Sequence, residues 1–268
     1  MIHIQDMCFS YGEKPYIENF DLDIQEGEIL SIIGPNGSGK STVLKNISKK
    51  LSYQKGAILL GDEDLKDLSM KALAKKVASL SQHNESPVDF TVKQLVEYGR
   101  LPHKKWYEPL NTEDQDFIQW AMCKTGVDRL ADQSVHSLSG GERQRVWIAM
   151  TLAQDTKILL LDEPTTYLDI CHQLEVLELI TELNRELGMT VVMVLHDLNQ
   201  ACQYSHRVCV MQKGKMVKLG KPSEVFTSKL IQEVYNVEAL VEQRTSEQVY
   251  IMPIKVFKGG HSCARKSK

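Results

Sequence analysis

The residues with the most specific chemistry form a glycine-rich loop near the start of the chain. The segment from Gly34 to Ser41 satisfies the pattern G-x-x-x-x-G-K-[ST]. Glycines let successive backbone N–H groups turn towards phosphate oxygens, and a helix that starts at the loop adds the positive end of its dipole. Lys40 would place its charge on the β- and γ-phosphates, and the Ser41 hydroxyl can bind Mg²⁺. The candidate nucleotide-binding residues are Gly34, Pro35, Asn36, Gly37, Ser38, Gly39, Lys40, Ser41 and Thr42.

Two adjacent carboxylates, Asp162 and Glu163, follow the strand-like run Lys157–Leu161. Because successive side chains at a strand end point to opposite sides, one carboxylate can face a metal while the other faces a water molecule. Asp162 fits the metal side, directly or through a metal-bound water. Glu163 fits the general base that orients the water attacking the γ-phosphate. Two solvated loop acids are the ordinary interpretation of such a pair, but a phosphate loop in the same chain favours catalysis.

A histidine occupies the equivalent position after a third apolar run. His196 follows Val191–Leu195, just as Gly34 and Asp162 follow their own strand-like runs. Ligands of open parallel sheets bind beyond the carboxyl ends of the strands, so these positions are expected to meet. A single histidine is more often structural than functional. The shared position nevertheless predicts that His196 donates a hydrogen bond to the γ-phosphate.

The segments that must position these residues follow the order of an α/β protein. Alternating residues around Ile2–Ser10 and Phe20–Ile24 predict two half-buried strands. The run Glu28–Ile33, the glycine-rich loop and a helical pattern from Lys40 onwards predict the start of a βαβ unit. Helix-spaced apolar residues over Thr91–Gln154 predict a mostly helical insert.

The α/β pattern resumes after the insert. The further predicted strands and helices are, in chain order, Lys157–Leu161, the long helix Ile170–Leu187, Thr190–Leu195, Arg207–Met211, Lys215–Leu219 and one helix over Pro222–Tyr235. Ala239–Gln243 and Gln248–Phe257 are predicted to be two more strands. The last eleven residues, from Lys258, are basic and small and are expected to fray.

Length and composition exclude several broad classes of protein. The 268 residues are 42% apolar and 25% charged, which is close to the average of globular chains and excludes disorder throughout. The longest apolar run has five residues, whereas a membrane-spanning helix needs about 20. The N-terminus lacks the pattern of a secretory signal. With 32 basic and 35 acidic residues, the net charge of −3 gives no support to nucleic acid as the main partner.

The six cysteines form no CxxC pair, so reduced thiols are expected. Cys202, His206 and Cys209 are closely spaced, but a structural zinc needs four ligands. A cysteine in an apolar run also tends to pack as a small hydrophobic residue, so no metal cluster is predicted there.

A second candidate anion site lies at Leu138–Glu142, far along the chain from the phosphate loop. Ser139 and Glu142 fit a capping box, so a structural helix start explains most of this segment. Gly140 and Gly141 at the cap also expose backbone N–H groups to an incoming anion. A second anion site away from the first is expected if two subunits enclose the nucleotide between them.

Together these motifs resemble those of the ATP-binding subunit of an ABC transporter, over roughly residues 1–240. The phosphate loop matches the Walker A motif of that family. Leu138–Glu142 matches its LSGGQ signature, with Glu142 in place of glutamine. Ile158–Glu163 matches the Walker B motif.

Single residues extend the resemblance. Asp169 falls in the D-loop of the family, and His196 matches its switch histidine. Gln82 falls at the Q-loop glutamine, which touches Mg²⁺ and the attacking water, although Ser81 replaces the commoner proline. Tyr11 falls where the family stacks an aromatic ring on adenine, and a surface tyrosine at a strand end is the alternative.

The resemblance implies an α/β fold with a P-loop NTPase core, an N-terminal antiparallel β subdomain and a helical insert at about 86–155. The ATP-binding domain would cover residues 1–240, with a C-terminal extension over 241–268. The implied ligands are ATP and Mg²⁺. The catalytic residues would be Glu163, His196 and Gln82, the metal-side residues Ser41, Gln82 and Asp162, and the further nucleotide contacts Tyr11, Ser139, Gly140, Gly141 and Asp169.

The resemblance also implies partners. Two copies would form a head-to-tail homodimer in which Walker A of one chain and the signature of the other enclose each ATP. Closure on ATP and opening after hydrolysis would drive integral-membrane permease subunits. The chain would then lie peripherally at the cytoplasmic face of the cell membrane, and the permease would connect it to an extracytoplasmic substrate-binding protein.

Three segments narrow the resemblance to one branch. They resemble the corresponding segments of the branch that imports ferric siderophores, haem and vitamin B12, and they are Glu97–His103, Leu161–Ile170 and Leu195–Ala201. Within that branch, a ferric siderophore is the favoured cargo. Tyr98–His103 would lie near the groove that docks the permease, although a helix ended by Pro102 explains the same segment. An ABC ATPase outside transport is disfavoured, because the chain has one cassette, no heptad run and no CxxC pair.

Overall fold

The computed structural model describes residues 1–82, 84, 86, 89–105, 107–243 and 249–257. The strands are Ile2–Phe9 (β1), Ile17–Ile24 (β2), Ile29–Ile33 (β3), Lys55–Leu60 (β4), Glu63–Asp64 (β5), Val77–Leu80 (β6), Ile158–Asp162 (β7), Thr190–Val194 (β8), Arg207–Gln212 (β9), Lys215–Gly220 (β10), Val237–Gln243 (β11) and Val249–Val256 (β12). The α-helices are Lys40–Ile47 (α1), Met70–Ala74 (α2), Val92–Glu97 (α3), Thr112–Lys124 (α4), Gly140–Ala153 (α5), Ile170–Leu187 (α6), Leu198–Tyr204 (α7), Pro222–Val225 (α8) and Ser228–Tyr235 (α9). Short 3₁₀ helices cover Tyr98–His103, Asp128–Leu130 and Val135–Ser137.

The central sheet has the strand order β10-β9-β3-β8-β7-β6. Its strands are parallel except for β10, which pairs antiparallel with β9. Strands β3, β7 and β8 are buried along their whole length, as is typical of parallel strands covered on both faces. Parallel pairing brings the carboxyl ends of β3, β6, β7 and β8 to one edge of the sheet. This edge therefore carries the residues that the sequence singled out.

A second, antiparallel sheet is built from N-terminal strands in the order β2-β1-β4-β5. Its alternating pattern buries one face, which includes Ile2, Ile4 and Phe20. These side chains share an apolar cluster with Val43 and Ile47 of α1. The antiparallel subdomain predicted from the sequence is thus present, and it packs beside the phosphate-loop helix.

A helical insert lies between β6 and β7. Val96 of α3, Ile118 of α4 and Trp147 of α5 belong to one apolar cluster, so the three helices pack together. A Cβ atom at Gly99 would lie 2.2 Å from the carbonyl oxygen of Met150, so glycine allows the 3₁₀ segment to press against α5. The predicted insert is therefore present as a helical layer anchored on α5.

The single helix predicted over Pro222–Tyr235 is wrong, because the chain forms two helices there. Phe226 is only 2% exposed and lies between α8 and α9. Thr227 then starts α9, since its side chain accepts a hydrogen bond from the Leu230 N–H at 3.1 Å. The helix is interrupted where the Phe226 side chain is buried in the core, although the sequence pattern predicts one continuous helix.

Strands β11 and β12 form an antiparallel hairpin that is attached to α7. The Asn199 side chain accepts from the Ile251 N–H at 2.8 Å and donates to the Ile251 carbonyl at 3.1 Å. The predicted boundary at residue 240 falls inside β11, and the tail from Lys258 lies outside the described residues. Among the described residues, none of the helices combines the length and the apolar composition that spanning a bilayer requires.

Candidate functional site

The glycine-rich loop joins the end of β3 to the start of α1. Gly34, Gly37 and Gly39 have φ angles of 150°, 76° and 104°, which L side chains rarely adopt. A Cβ atom at Gly34 would also lie 2.1 Å from the carbonyl oxygen of Met211. Tyr16 donates its hydroxyl to the Gly37 carbonyl at 2.9 Å and holds the loop from outside. Among the described residues no side chain caps α1, so its first N–H groups are left available to an anion.

The Lys40 ammonium folds back onto this loop. It donates to the carbonyl oxygens of Gly34 at 2.9 Å and Pro35 at 3.1 Å, and the residue is 5% exposed. Burial lowers the pKa of Lys40, while the charges of Glu163 and Asp162 oppose that change. A cation held mainly by neutral carbonyls would be stabilised further by a bound anion. The loop and its lysine therefore form a candidate phosphate site.

Ser41 and Asp162 meet at the start of α1. The Ser41 hydroxyl donates to Asp162 Oδ1 at 2.7 Å, and Asp162 is 8% exposed. Burial raises the pKa of Asp162, and the hydrogen bond from Ser41 opposes that rise. A hydroxyl and a carboxylate oxygen this close are hard oxygen donors of the kind Mg²⁺ prefers. The pair forms a candidate metal side next to the phosphate loop.

Side chains from three neighbouring parts of the sheet edge contact the Glu163 carboxylate. Gln82, after β6, donates its Nε2 to Glu163 Oε2 at 2.5 Å. His196, after β8, has its Nε2 2.5 Å from Glu163 Oε1. Thr166 donates its hydroxyl to Oε2 at 3.1 Å. Glu163 has a φ of 55°, an uncommon conformation for a glutamate that turns the chain out of β7. The carboxylate thus accepts two hydrogen bonds and contacts the His196 ring, an arrangement that would orient a general base.

Most of these residues line one cavity of about 320 Å³, whereas Asp162 and Thr166 are not among its lining residues. Its lining residues are Tyr16, Asn36, Gly37, Gly39, Lys40, Ser41, Thr42, Gln82, Glu163 and His196. Tyr11 stands at the rim, 63% exposed, with its hydroxyl 3.0 Å from Thr42 Oγ1 and its ring edge-on to Phe9. An exposed aromatic ring beside a phosphate loop can stack on a base. The sequence did not single out Tyr16 or Thr166, although Thr166 stands only three residues after Glu163.

The signature segment lies elsewhere on the chain and is not part of this lining. Ser139 caps α5: its hydroxyl accepts the Glu142 N–H at 3.3 Å and donates to the Glu142 carboxylate at 2.7 Å. A Cβ atom at Gly141 would lie 2.1 Å from the His172 ring, so the glycine allows α6 to approach. Asp169 caps α6 and binds His172 through its N–H and its ring. We call Ser139, Gly140, Gly141, Asp169 and His172 the signature cluster.

The cysteines that the structure describes carry no sign of a metal site. Cys202 and Cys209 are buried, and burial raises the pKa of each thiol to about 12. His206 uses Nδ1 to accept the Ile29 N–H at 3.0 Å. Within the part of the chain that the structure describes, no group of three or more His, Cys, Asp or Glu side chains could hold a metal ion.

The fold and the cavity define a P-loop ATPase cassette, and comparison with known proteins identifies its family. The sequence matches the ABC transporter family over residues 17–166. Over its full length it is 44% identical to the petrobactin import ATP-binding protein FpuC of Bacillus anthracis and covers 98% of that relative. It is also 44% identical to the iron(3+)-hydroxamate import ATP-binding protein FhuC of Bacillus subtilis (strain 168), covering 91% of this chain and 92% of that one. The chain belongs to the ABC transporter family, as an ATP-hydrolysing subunit.

Solved structures show the same fold. A metal-chelate type ABC transporter in an inward-facing conformation matches with a TM-score of 0.83 and 26% identity, over 94% of this chain and 96% of that one. A dimeric ATP-binding cassette in a post-hydrolysis state, bound to ADP and Pi, matches with a TM-score of 0.70 and 30% identity, over 82% and 97%. The predicted P-loop NTPase core with its antiparallel subdomain and insert is confirmed.

Proposed function

We propose that this chain is the ATPase of an importer for ferric siderophores. Its relatives FpuC and FhuC are named for the import of petrobactin and iron(3+)-hydroxamate. One observation supports the proposal that the chain hydrolyses ATP: Gln82, His196 and Thr166 all contact Glu163 beside the phosphate loop. The chemistry of the cargo is supported by the relatives alone, because the ATPase site does not contact it.

The cavity fits ATP with Mg²⁺. The Ser38 hydroxyl is buried inside the loop and has no hydrogen-bond partner among the described residues, so a phosphate oxygen could use it. The backbone of Gly37 and Gly39 lines the cavity, and a side chain at either would be strained. Ser41, Asp162 and Gln82 are the residues that would hold Mg²⁺. The ion would neutralise phosphate charge during transfer.

Hydrolysis would follow from the residues around Glu163. Lys40 would leave the loop carbonyls and bind the β- and γ-phosphates. The Glu163 carboxylate would accept a proton from the attacking water, with Gln82 orienting both. His196 would donate to the γ-phosphate as charge is transferred. Tyr11 would stack on adenine, since its ring is exposed and its hydroxyl lies 3.0 Å from Oγ1 of Thr42, a residue that lines the cavity.

A second copy of the chain would complete the site. The phosphate cavity of one chain lacks the signature cluster, which lies at the N-terminal ends of α5 and α6 of the same chain. In a head-to-tail homodimer Ser139, Gly140 and Gly141 of one copy would face the phosphates bound by the other, and Asp169 would lie beside them. The dimeric cassette that resembles this chain supports such an arrangement.

The permease would dock on the insert. Beside the 3₁₀ segment Tyr98–His103 lies a groove of about 610 Å³ that includes Phe90 and Leu101. The rings of Phe90 and Tyr98 meet edge-on at 5.1 Å, and Leu101 is 55% exposed. A groove that combines apolar side chains with charged ones such as Lys105 and Glu108 suits an amphipathic helix of an integral-membrane partner. The chain would thus lie peripherally at the cytoplasmic face of the membrane, linked by the permease to an extracytoplasmic substrate-binding protein.

Uptake measurements test this function. A strain that lacks this chain should fail to import radiolabelled iron as a hydroxamate or catecholate chelate, and the wild-type chain should restore import. The Glu163→Gln variant is the matched control, because it should assemble with the permease yet not restore uptake. Import that stays normal without the chain, or loss confined to haem or vitamin B12, would overturn the siderophore assignment.

A further inference from the structure

The residue before the Q-loop glutamine is tied down from two sides. Lys50 Nζ donates to Ser81 Oγ at 2.6 Å. Asn84 Nδ2 donates to the Ser81 carbonyl oxygen at 2.6 Å. Ser81 follows β6 directly, and β6 stands at the edge of the central sheet with β7 as its neighbour in the strand order. These two hydrogen bonds therefore fix the backbone at the point where it leaves strand β6.

The Lys50 contact closes a circuit of hydrogen bonds around the reacting side chains. At its N-terminal end α1 is joined to β7, because Ser41 donates to Asp162 at 2.7 Å. Just past its C-terminal end, Lys50 reaches Ser81. Between these two links, Gln82 donates to Glu163 at 2.5 Å. The phosphate-loop helix is thus connected at both ends to the edge that carries the base.

We call the hydrogen bond between Lys50 and Ser81 the tether. It matters because Gln82 is exposed and lies outside any strand. An exposed glutamine on irregular backbone has several accessible rotamers, and only some of them reach Glu163. The sequence also has Ser81 where the family more often has proline, whose ring would restrict the backbone. Here a serine hydroxyl held by a lysine supplies the restriction instead.

We propose that Lys50 and Ser81 are positioning residues for ATP hydrolysis. Their hydrogen bond anchors the start of the Q-loop to the phosphate-loop helix, so that Gln82 stays within reach of Glu163. This inference rests on the proposed role of Gln82 in hydrolysis. Neither Lys50 nor Ser81 is assigned a contact with nucleotide, so their effect is on turnover rather than on ATP binding.

Steady-state ATPase kinetics of the full chain test the tether. Lys50→Met keeps the apolar stem and removes the donor, and kcat should fall about tenfold while KM for ATP stays within about twofold. Lys50→Arg keeps a cationic donor and should recover at least about half of kcat. Ser81→Ala should match Lys50→Met, and the double variant should lose no more than either single one.

Matched variants separate the tether from charge and from the role of Gln82. Lys45 is exposed on α1 and its charge also acts on Asp162, so Lys45→Met should leave kcat within about twofold. Unchanged turnover in Lys50→Met, equal losses in Lys45→Met, or additive losses in the double variant would each overturn the tether. If Gln82→Ala loses turnover while Lys50→Met does not, the positioning role of Lys50 and Ser81 is refuted and the role of Gln82 in hydrolysis stands. If Gln82→Ala keeps turnover, the role of Gln82 fails as well.

Discussion

Replacing Glu163 by glutamine should separate ATP binding from ATP hydrolysis. The carboxylate accepts at Oε2 from Gln82 and Thr166, and its Oε1 faces His196. Glutamine has the same shape but is neutral, so it cannot take a proton from the attacking water. The hydrogen bonds of Lys40 end on the loop carbonyls and do not involve Glu163, so the phosphate loop should keep its form.

The structural and catalytic losses differ in size. With the amide oxygen in the Oε2 position, the hydrogen bonds from Gln82 and Thr166 survive, and only the contact with His196 changes character. Loss of one such hydrogen bond is worth about 1–2 kcal/mol. Loss of a general base lowers the rate by about 10²–10⁴, which is about 2.7–5.4 kcal/mol of activation free energy. Turnover should therefore fall far more than folding stability.

The assay measures phosphate release, ATP affinity and oligomeric state on the same preparation. We expect kcat to fall at least about 10²-fold and ATP affinity to stay within about threefold. An ATP-bound dimer should accumulate in size-exclusion chromatography. Glu178→Gln, an exposed charge change on α6, is the control and should behave as wild type. Steady turnover within about tenfold of wild type would refute the assignment of the base.

Three further predictions concern the phosphate loop, the insert and the thiols. Lys40→Ala should weaken ATP binding at least about tenfold in a nucleotide titration, because it removes a charge-assisted hydrogen bond to phosphate. Burial alone would raise the pKa of Asp114, but hydrogen bonds led by that from Lys104 hold it at about 2. The ionised Asp114 carboxylate thus adds to the free energy of unfolding above about pH 4, and this contribution is lost as the pH falls towards 2. Asp114→Asn should flatten that acid slope in circular dichroism and reduce the unfolding free energy by about 3 kcal/mol. Iodoacetamide at pH 8 should label the exposed cysteines of α4 and α6 and spare Cys202 and Cys209 until denaturant is added, as counted by mass spectrometry.

Much of the site was predictable because its residues follow strands that are parallel. Gly34, Asp162 and His196 each come directly after a buried run, and their ends meet because β3, β8 and β7 are parallel neighbours in the sheet. The long helix Ile170–Leu187 was also predictable, since an aspartate starts it and Gly188 ends it in the left-handed conformation.

What the sequence could not show depends on distant partners. Phe226 divides a helical pattern because a core built from other segments is available to bury it. Lys50 and Ser81 meet across 31 positions of the chain, and nothing near either residue signals the contact. Thr166 reaches Glu163 only because the turn after β7 brings its hydroxyl back. Local patterns specify strands and caps, whereas contacts between elements follow from packing.

Glu142 stands where the signature of the family has glutamine, and the structure indicates what this exchange does. Hydrogen bonds from the Ser139 hydroxyl and N–H lower the pKa of Glu142, so the carboxylate is charged at neutral pH. In the proposed homodimer this charge lies beside the phosphates of the facing copy and competes for the donors of Ser139. Glu142→Gln, made in the Glu163→Gln background, should strengthen ATP-driven dimerisation about fivefold in analytical ultracentrifugation, with a smaller gain at high salt. Weaker dimerisation at every salt concentration would mean that capping of α5 by the carboxylate matters more than its repulsion of phosphate.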